Sequence, residues 1–253
     1  MLRILFSRRA FLSPGIRYTA HTYQPSLRSS MSSPPIHHPE IAAMRINYTQ
    51  PTLTESQLDP NPITQFERWF NEVKSSGTIR EPNAMALATS CPTTGRPSCR
   101  MVLFKDVDET GLVFYTNYES RKARELDANP FAACTFWWGE RSVRVEGKVE
   151  RTSADESDTY YNSRPRGSRL GAWASPQSKV LTGGRAELEQ HEKDIQERFK
   201  DVEDVPRPEH WGGYRVIPDR IEFWAGRPCR LHDRIVYTRH SSDSEWSVLR
   251  LAP

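Results

Sequence analysis

The sequence predicts a mainly β fold, an antiparallel barrel or sandwich with peripheral helices. Two observations carry that expectation. Apolar or alternating runs at 84–89, 98–105, 112–116, 131–137 and 142–151 follow one another at short intervals, broken by turn residues. Further short runs at 214–217, 220–224, 234–237 and 246–251 read as closing strands, and the few helical patterns lie between or before these groups.

The chain opens on a different composition. Residues 1–39 carry Arg3, Arg8, Arg9, Arg17 and Arg28, with no lysine and no acid before Glu40. Leu2, Ile4, Leu5, Phe6, Phe11 and Leu12 are interleaved, which is the composition of a mitochondrial transit peptide. We therefore expect 1–43 to be a disordered tail, a mitochondrial targeting segment plus the linker SSPPIHHP, and 44–253 to be one domain; without targeting the location would be cytoplasmic. The apolar runs of the tail are too short for a membrane span. Its five arginines exceed the formal net charge of +3, so the rest of the 253-residue chain is at −2. A body that is not a polycation gives little support to nucleic-acid binding.

Cys91, Cys99, Cys134 and Cys229 show no C-x-x-C spacing, which points to reduced thiols and to neither a disulfide framework nor a zinc site. No G-x-G-x-x-G, P-loop or H-E-x-x-H pattern is present, and no metal is expected.

The first helix of the body is signalled by Asn61 as N-cap, Pro62 in the first turn, Ile63, Phe66, Phe70 and Val73 at helical spacing, and Gly77 as the stop. The stretch from Arg100 to Lys122 then reads as a hairpin, 101–104 and 112–116 around the turn 108–111, leading to the N-cap Ser120. Arg121 and Lys122 in the first helical turn oppose the helix dipole at about 0.3–1 kcal/mol each. An anion bound there would remove the conflict; a solvated basic helix start is the alternative.

A helix over 154–162 should end before SRPRGSRLGAW, which reads as an irregular loop. Tyr160, Arg164, Arg166 and Ser168 there either grip a phosphate or form a solvated basic loop. In WASPQS, Gln177 and Ser178 offer hydrogen bonds to a polar ring edge or a phosphate. The helix over 185–200 has Leu188, Ile195 and Phe199 on one stripe, His191 beside it as a structural residue, and a Glu189–Lys193 pair on the wet side. If Leu231 of RLHDR points into the core, alternation puts Arg230, His232 and Arg234 together on the other face. Either an anion sits among them or their charges protect an edge strand.

RMVLFK, FYTNYESRK, YYNSRPRGSRLGAWASPQS, WGGYRV, IEFWAG, RLHDR and the terminal RLAP, in this order, resemble the pyridoxamine 5′-phosphate oxidase family over residues 44–253. The resemblance implies an FMN-binding split β-barrel, antiparallel and homodimeric, with active sites at the subunit interface. It implies FMN contacts from Arg100, Met101, Val102, Leu103, Lys105, Tyr115, Thr116, Arg121, Lys122, Ser142, Gln177, Ser178, Trp224 and Arg234. The substrate phosphate falls to Lys105, Tyr160, Arg164 and Ser168, with Arg230 and His232 as catalytic residues against the pyridine ring. Arg45 and Tyr48 match an element that closes over the site in related enzymes.

The implied reaction is oxidation of pyridoxamine 5′-phosphate or pyridoxine 5′-phosphate by O2 to pyridoxal 5′-phosphate and hydrogen peroxide, by hydride transfer from the 4′ carbon to FMN. Ser142 stands where the family often has Gln, which shortens the reach to a flavin, and Gly167 where many relatives have Asp, which loosens that loop. A split-barrel flavin reductase and a non-catalytic pyridoxal phosphate carrier are the alternatives. Lys105, Tyr160, Arg164, Ser168, Arg230 and His232 together are more than a plain reductase needs.

Overall fold

The computed structural model describes residues 38–253, so the expected targeting segment lies largely outside the described residues. The chain divides into an N-terminal unit ending at Arg45 and a body from Ile46 to Pro253. The described part of the first unit contains helix α1 (Pro39–Ala43). Residues 39–43 are therefore helical, where a disordered tail was expected; Pro39 in the first turn and Glu40 at the positive end of the dipole both favour it.

In the body, helix α2 (Pro62–Ser76) begins where the Asn61 side chain accepts a hydrogen bond from the Ile63 N–H at 2.9 Å, and ends at Gly77 in the left-handed conformation. Strands β1 (Ala84–Ser90), β2 (Pro97–Val107) and β3 (Leu112–Asn117) follow, then helix α3 (Arg121–Ala128). Next come β4 (Phe131–Trp137) and β5 (Arg141–Arg151), helices α4 (Ala154–Ser163), α5 (Arg166–Ala174) and α6 (Gly184–Arg198), and β6 (Trp211–Ala225). The chain closes with β7 (Asp233–Thr238) and β8 (Ser247–Arg250).

All pairings are antiparallel in the order β3-β2-β1-β4-β5-β6-β7-β8, and β6 also pairs with β3. That second pairing closes β1–β6 into a barrel, while β7 and β8 continue the sheet from the far half of β6. The interior is filled by the inward-facing residues Met85, Leu87, Phe114, Phe136, Val143, Val145, Ile221 and Phe223, none of them measurably exposed. Helix α2 plugs one side with Ile63, Phe66, Trp69 and Val73; Phe66 packs on Phe104 and Phe136 with ring centroids 5.4 and 5.1 Å away. Burying one such aromatic contributes roughly 1.5–3 kcal/mol.

Three elements differ from expectation. The runs 214–217 and 220–224 are one strand, because Pro218 lies where β6 exchanges β3 for β7 as its neighbour and its carbonyl accepts from the Arg239 side chain (2.8 Å). A proline there removes no ladder bond on that side. Opposite it, β5 bulges at Gly147, where a Cβ would lie 2.0 Å from the Ile217 carbonyl oxygen. SRPRGSRLGAW is not an irregular loop: its greater part is helix α5, which buries Leu170, Ala172 and Ala174. In α6, Glu189 pairs with Arg185 (2.8 Å) instead of Lys193.

Directly opposed residues in a sheet share a face. One row on the barrel's outer face therefore runs Met101, Ala86, Thr135, Arg144, Glu222, Val236, Leu249, and a second runs Trp137, Ser142, Trp224, Arg234. Met101, Phe131, Trp137 and Leu249 on this face are each more than half exposed. Among the described residues no helix is long and apolar enough to cross a membrane.

Candidate active site

A cavity of about 840 Å³ opens beside the β2–β3 hairpin and is closed by α3, α5 and the loop after α5. It is lined by Arg100, Met101, Val102, Leu103, Lys105, Tyr115, Thr116, Arg121, Lys122, Tyr160, Arg164, Ser168, Gln177 and Ser178, residues from three separate sequence motifs.

Lys122 sits at its base. The side chain is buried, and Nζ donates to Thr116 Oγ1 (2.9 Å), Gln177 Oε1 (2.9 Å) and Ser120 Oγ (3.2 Å). All three acceptors are neutral. Burial, with Arg100 nearby, lowers its pKa to about 8. A buried ammonium without a carboxylate partner fits a site completed by an anionic ligand.

Arg121 does not share this state. Its Nε donates to Glu125 Oε1 (2.8 Å), one turn along α3, so the dipole conflict expected at the helix start is relieved within the chain. Glu125 Oε2 also lies 3.3 Å from Arg100 Nη2 and accepts from Thr89 Oγ1. Burial pushes the Glu125 carboxyl up, but the hydrogen bonds from Thr89, Arg121 and Arg100 outweigh it and hold the pKa low.

Exposed Lys105 aside, the second cation of the cavity without a carboxylate partner among the described residues is Arg164, just past α4. Its guanidinium lies 4.7 Å from the centroid of the Trp211 ring and 5.8 Å from that of Tyr161, Nη1 is buried with no partner, and burial lowers its pKa. Tyr115 and Tyr160 stack at 4.0 Å beside it, with Lys105 Nζ 5.9 Å from the Tyr160 centroid. Burial raises the Tyr115 hydroxyl to about 12, so that phenol is neutral at ordinary pH.

The remaining expected residues form a second group. Ser142 and Trp224 line a cavity of about 290 Å³ on the outer sheet face with Thr135, Trp137, Arg144 and Glu222. Arg234 donates to Glu222 Oε1 (2.7 Å) and Arg144 to Glu222 Oε2 (2.7 Å). His232 packs on Trp224 (4.8 Å), and Tyr48 on both (5.5 Å to each). His232 Nδ1 accepts from the Arg227 N–H at 3.0 Å, so the neutral ring carries its proton on Nε2. Gly226 makes room for Tyr48, whose Cγ would lie 2.6 Å from a Cβ there.

Leu231 is exposed and not in the core, so strand alternation does not order RLHDR as expected. Residues Pro228–Arg230 form a tight turn with Cys229 and Arg230 at φ 55° and 62°, and the strand starts only at Asp233. Ser178 of the first cavity is also left-handed, at φ 70°. Such strain, roughly 1–2 kcal/mol for a non-glycine residue, concentrates at functional sites. Arg45 belongs to the N-terminal unit.

Sequence reasoning missed Trp211 and Glu125. The i,i+4 spacing of Arg121 and Glu125 was a readable signal. Trp211 was visible only as the first letter of WGGYRV, whose glycines admit neighbours as close as the Tyr115 ring.

Barrel and pocket define a class: a split β-barrel whose cavity is built to receive anionic ligands. Residues 74–206 match the family model described as pyridoxamine 5′-phosphate oxidase, and 211–253 match the pyridoxine 5′-phosphate oxidase C-terminal dimerisation region. Pyridoxine/pyridoxamine 5′-phosphate oxidases of Burkholderia multivorans and Burkholderia thailandensis are 56% and 55% identical, with 84% of this chain and 99% of each relative covered. The solved structure of PhzG from Burkholderia lata, in complex with tetrahydrophenazine-1-carboxylic acid, superposes with a TM-score of 0.72 at 31% identity, covering 80% of this chain and 98% of that one. A pyridoxamine 5′-phosphate oxidase-related, FMN-binding protein from Nostoc punctiforme shares the fold (TM-score 0.58, 18% identity). The chain belongs to the pyridoxamine 5′-phosphate oxidase family, and with it to the oxidoreductases.

Proposed function

We propose that the protein oxidises pyridoxamine 5′-phosphate and pyridoxine 5′-phosphate with O2, giving pyridoxal 5′-phosphate and hydrogen peroxide, with FMN as cofactor and as a homodimer. The observation that carries this reading is that two cations withdrawn from solvent in one cavity, Lys122 and Arg164, have no carboxylate partner among the described residues, with the exposed Lys105 beside Arg164's wall as a third. Two phosphorylated rings, cofactor and substrate, supply two counter-charges.

The donor set fits each ligand. Lys122, Thr116, Gln177 and Arg121 would hold the FMN phosphate, and Lys105, Tyr160, Arg164 and Ser168 that of the substrate. Bound FMN would take two electrons from the substrate's 4′ carbon and pass them to O2. The chain's part is orientation: a phosphate anchored away from the reacting carbon provides binding energy that fixes the ring's position. Arg230, held outward by its strained turn, would place positive charge over the substrate, and His232 would donate from Nε2.

The dimer follows from the split between the two groups. Ser142, Trp224 and Arg234 lie on the open outer face that also carries Met101, a residue of the first cavity. A two-fold partner packed on this face would bring its Trp224 row to that cavity, and the region matching the dimerisation model supplies β6, β7 and β8.

The likeness to PhzG favours one second reading, oxidation of a reduced tricyclic carboxylic acid. Oxygen uptake separates the two. The protein should consume O2 and form pyridoxal 5′-phosphate with either phosphorylated vitamer, and turn over tetrahydrophenazine-1-carboxylic acid poorly; the reverse preference overturns the proposal.

A further inference from the structure

The arginines of the pocket and of the neighbouring strands and loops are held in two different ways. Arg121 is paired with Glu125, Arg207 with Asp158, Arg215 with Asp108 and Glu156, and Arg234 with Glu222. Arg164 has no such partner among the described residues. Its guanidinium rests on the faces of Trp211 and Tyr161, and Nη1 is buried without an acceptor.

The difference has a chemical consequence. A carboxylate fixes an arginine by occupying its donor fork and cancelling its charge. An aromatic face attracts the cation through the ring quadrupole and occupies no N–H. Arg164 is therefore oriented while its donors stay uncommitted. Trp211 is itself rigid: it is buried, lies parallel to Tyr115 (5.5 Å, 12°) and Tyr160 (6.2 Å, 10°), meets Tyr161 edge-on, and its carbonyl accepts from Arg207 (2.8 Å).

We propose that Trp211 is a positioning residue for phosphate recognition: its indole face holds Arg164 ready for the substrate phosphate without competing for that arginine's hydrogen bonds. The inference rests on the assignment of Arg164 to the substrate phosphate. The indole itself need not touch the substrate.

The test uses the FMN-loaded protein and pyridoxal 5′-phosphate as the equilibrium probe, with unphosphorylated pyridoxal as control. Trp211→Leu should weaken pyridoxal 5′-phosphate about tenfold, and raise KM for pyridoxine 5′-phosphate similarly with kcat within about twofold. Trp211→Phe keeps a ring face and should recover most of the loss, and pyridoxal binding should not change. In an Arg164→Ala background, Trp211→Leu should cost nothing further, because it acts through the missing guanidinium.

Equal losses with and without Arg164, or equal losses for pyridoxal and its phosphate, overturn the proposal. If Arg164→Ala alone leaves pyridoxal 5′-phosphate affinity intact, the phosphate assignment falls, and this inference with it. Should Trp211→Leu give no soluble protein, Trp211→Met provides the same cycle.

Discussion

Lys122 Nζ and Gln177 Oε1 lie 2.9 Å apart, and the Thr116 hydroxyl joins them by accepting from Lys122 and donating to Gln177, both at 2.9 Å. Strand β3, helix α3 and the loop after α5 thus converge on one buried cation. The three-way bond fixes the pocket floor but provides no opposite charge, so a phosphate entering there exchanges neutral acceptors for a charged one.

The depressed Lys122 pKa gives a signed expectation. Between about 8 and the ordinary 10.5 the unfolded chain holds this proton more firmly than the folded one. The ligand-free protein therefore gains stability from this group as pH rises through that window, and below it the full cost of a buried charge is present. Phosphate restores the charge, so FMN binding near pH 9 should take up a proton and weaken as pH rises. Lys122→Met should abolish that uptake and lower FMN affinity about 10- to 100-fold at pH 7. Calorimetry in two buffers of different ionisation heat measures both.

Ala86 lies mid-row on the open sheet face, between Met101 and Thr135. Ala86→Arg places a long cation in the proposed contact with the partner. Sedimentation should show monomers, and FMN retention should fall with the dimer. A dimeric variant with full flavin content counts against an interface on this face.

Gly147→Ala tests the bulge that bends β5 around β6. Its Cβ would lie 2.0 Å from backbone oxygen, which no side-chain motion relieves. We expect a loss of about 3 kcal/mol, a drop in Tm of roughly 6–12 °C, without a change in FMN stoichiometry. An unchanged melting curve contradicts the register.

Arg230→Ala should slow flavin reduction in stopped-flow mixing with pyridoxamine 5′-phosphate far more than it alters FMN affinity. Unchanged reduction would remove Arg230 from the catalytic roles.

Much of this was legible from residue patterns because period-2 alternation survives in β1, β2, β4 and β5, and β3 is a short apolar run after a clear turn signal. Where it was not, the causes are local. Pro218 masked the continuity of β6 because a partner exchange between strands leaves no mark in the sequence. The glycines of SRPRGSRLGAW hid a helix whose stability comes from packing Leu170 with Phe199 and Val205. The RLHDR expectation failed because two consecutive left-handed residues delay the strand. Candidate site residues on the hairpin, at the start of α3 and from α4 to the loop after α5 were readable as clusters of basic, hydroxyl and amide side chains. Trp211 was not, since a ring that supports an arginine from a distant strand has no spacing rule.

The proposed pairing of Lys122 and Arg164, the cavity's two cations withdrawn from solvent, with two phosphorylated rings between which electrons pass underlies the whole reading. Its most direct test is the visible absorption spectrum of the purified, FMN-loaded protein, recorded without air before and after pyridoxamine 5′-phosphate. The protein should be yellow, bleach on adding substrate and recover its colour with oxygen. A protein that takes up no FMN, or a flavin that stays oxidised with the phosphorylated vitamers, contradicts it.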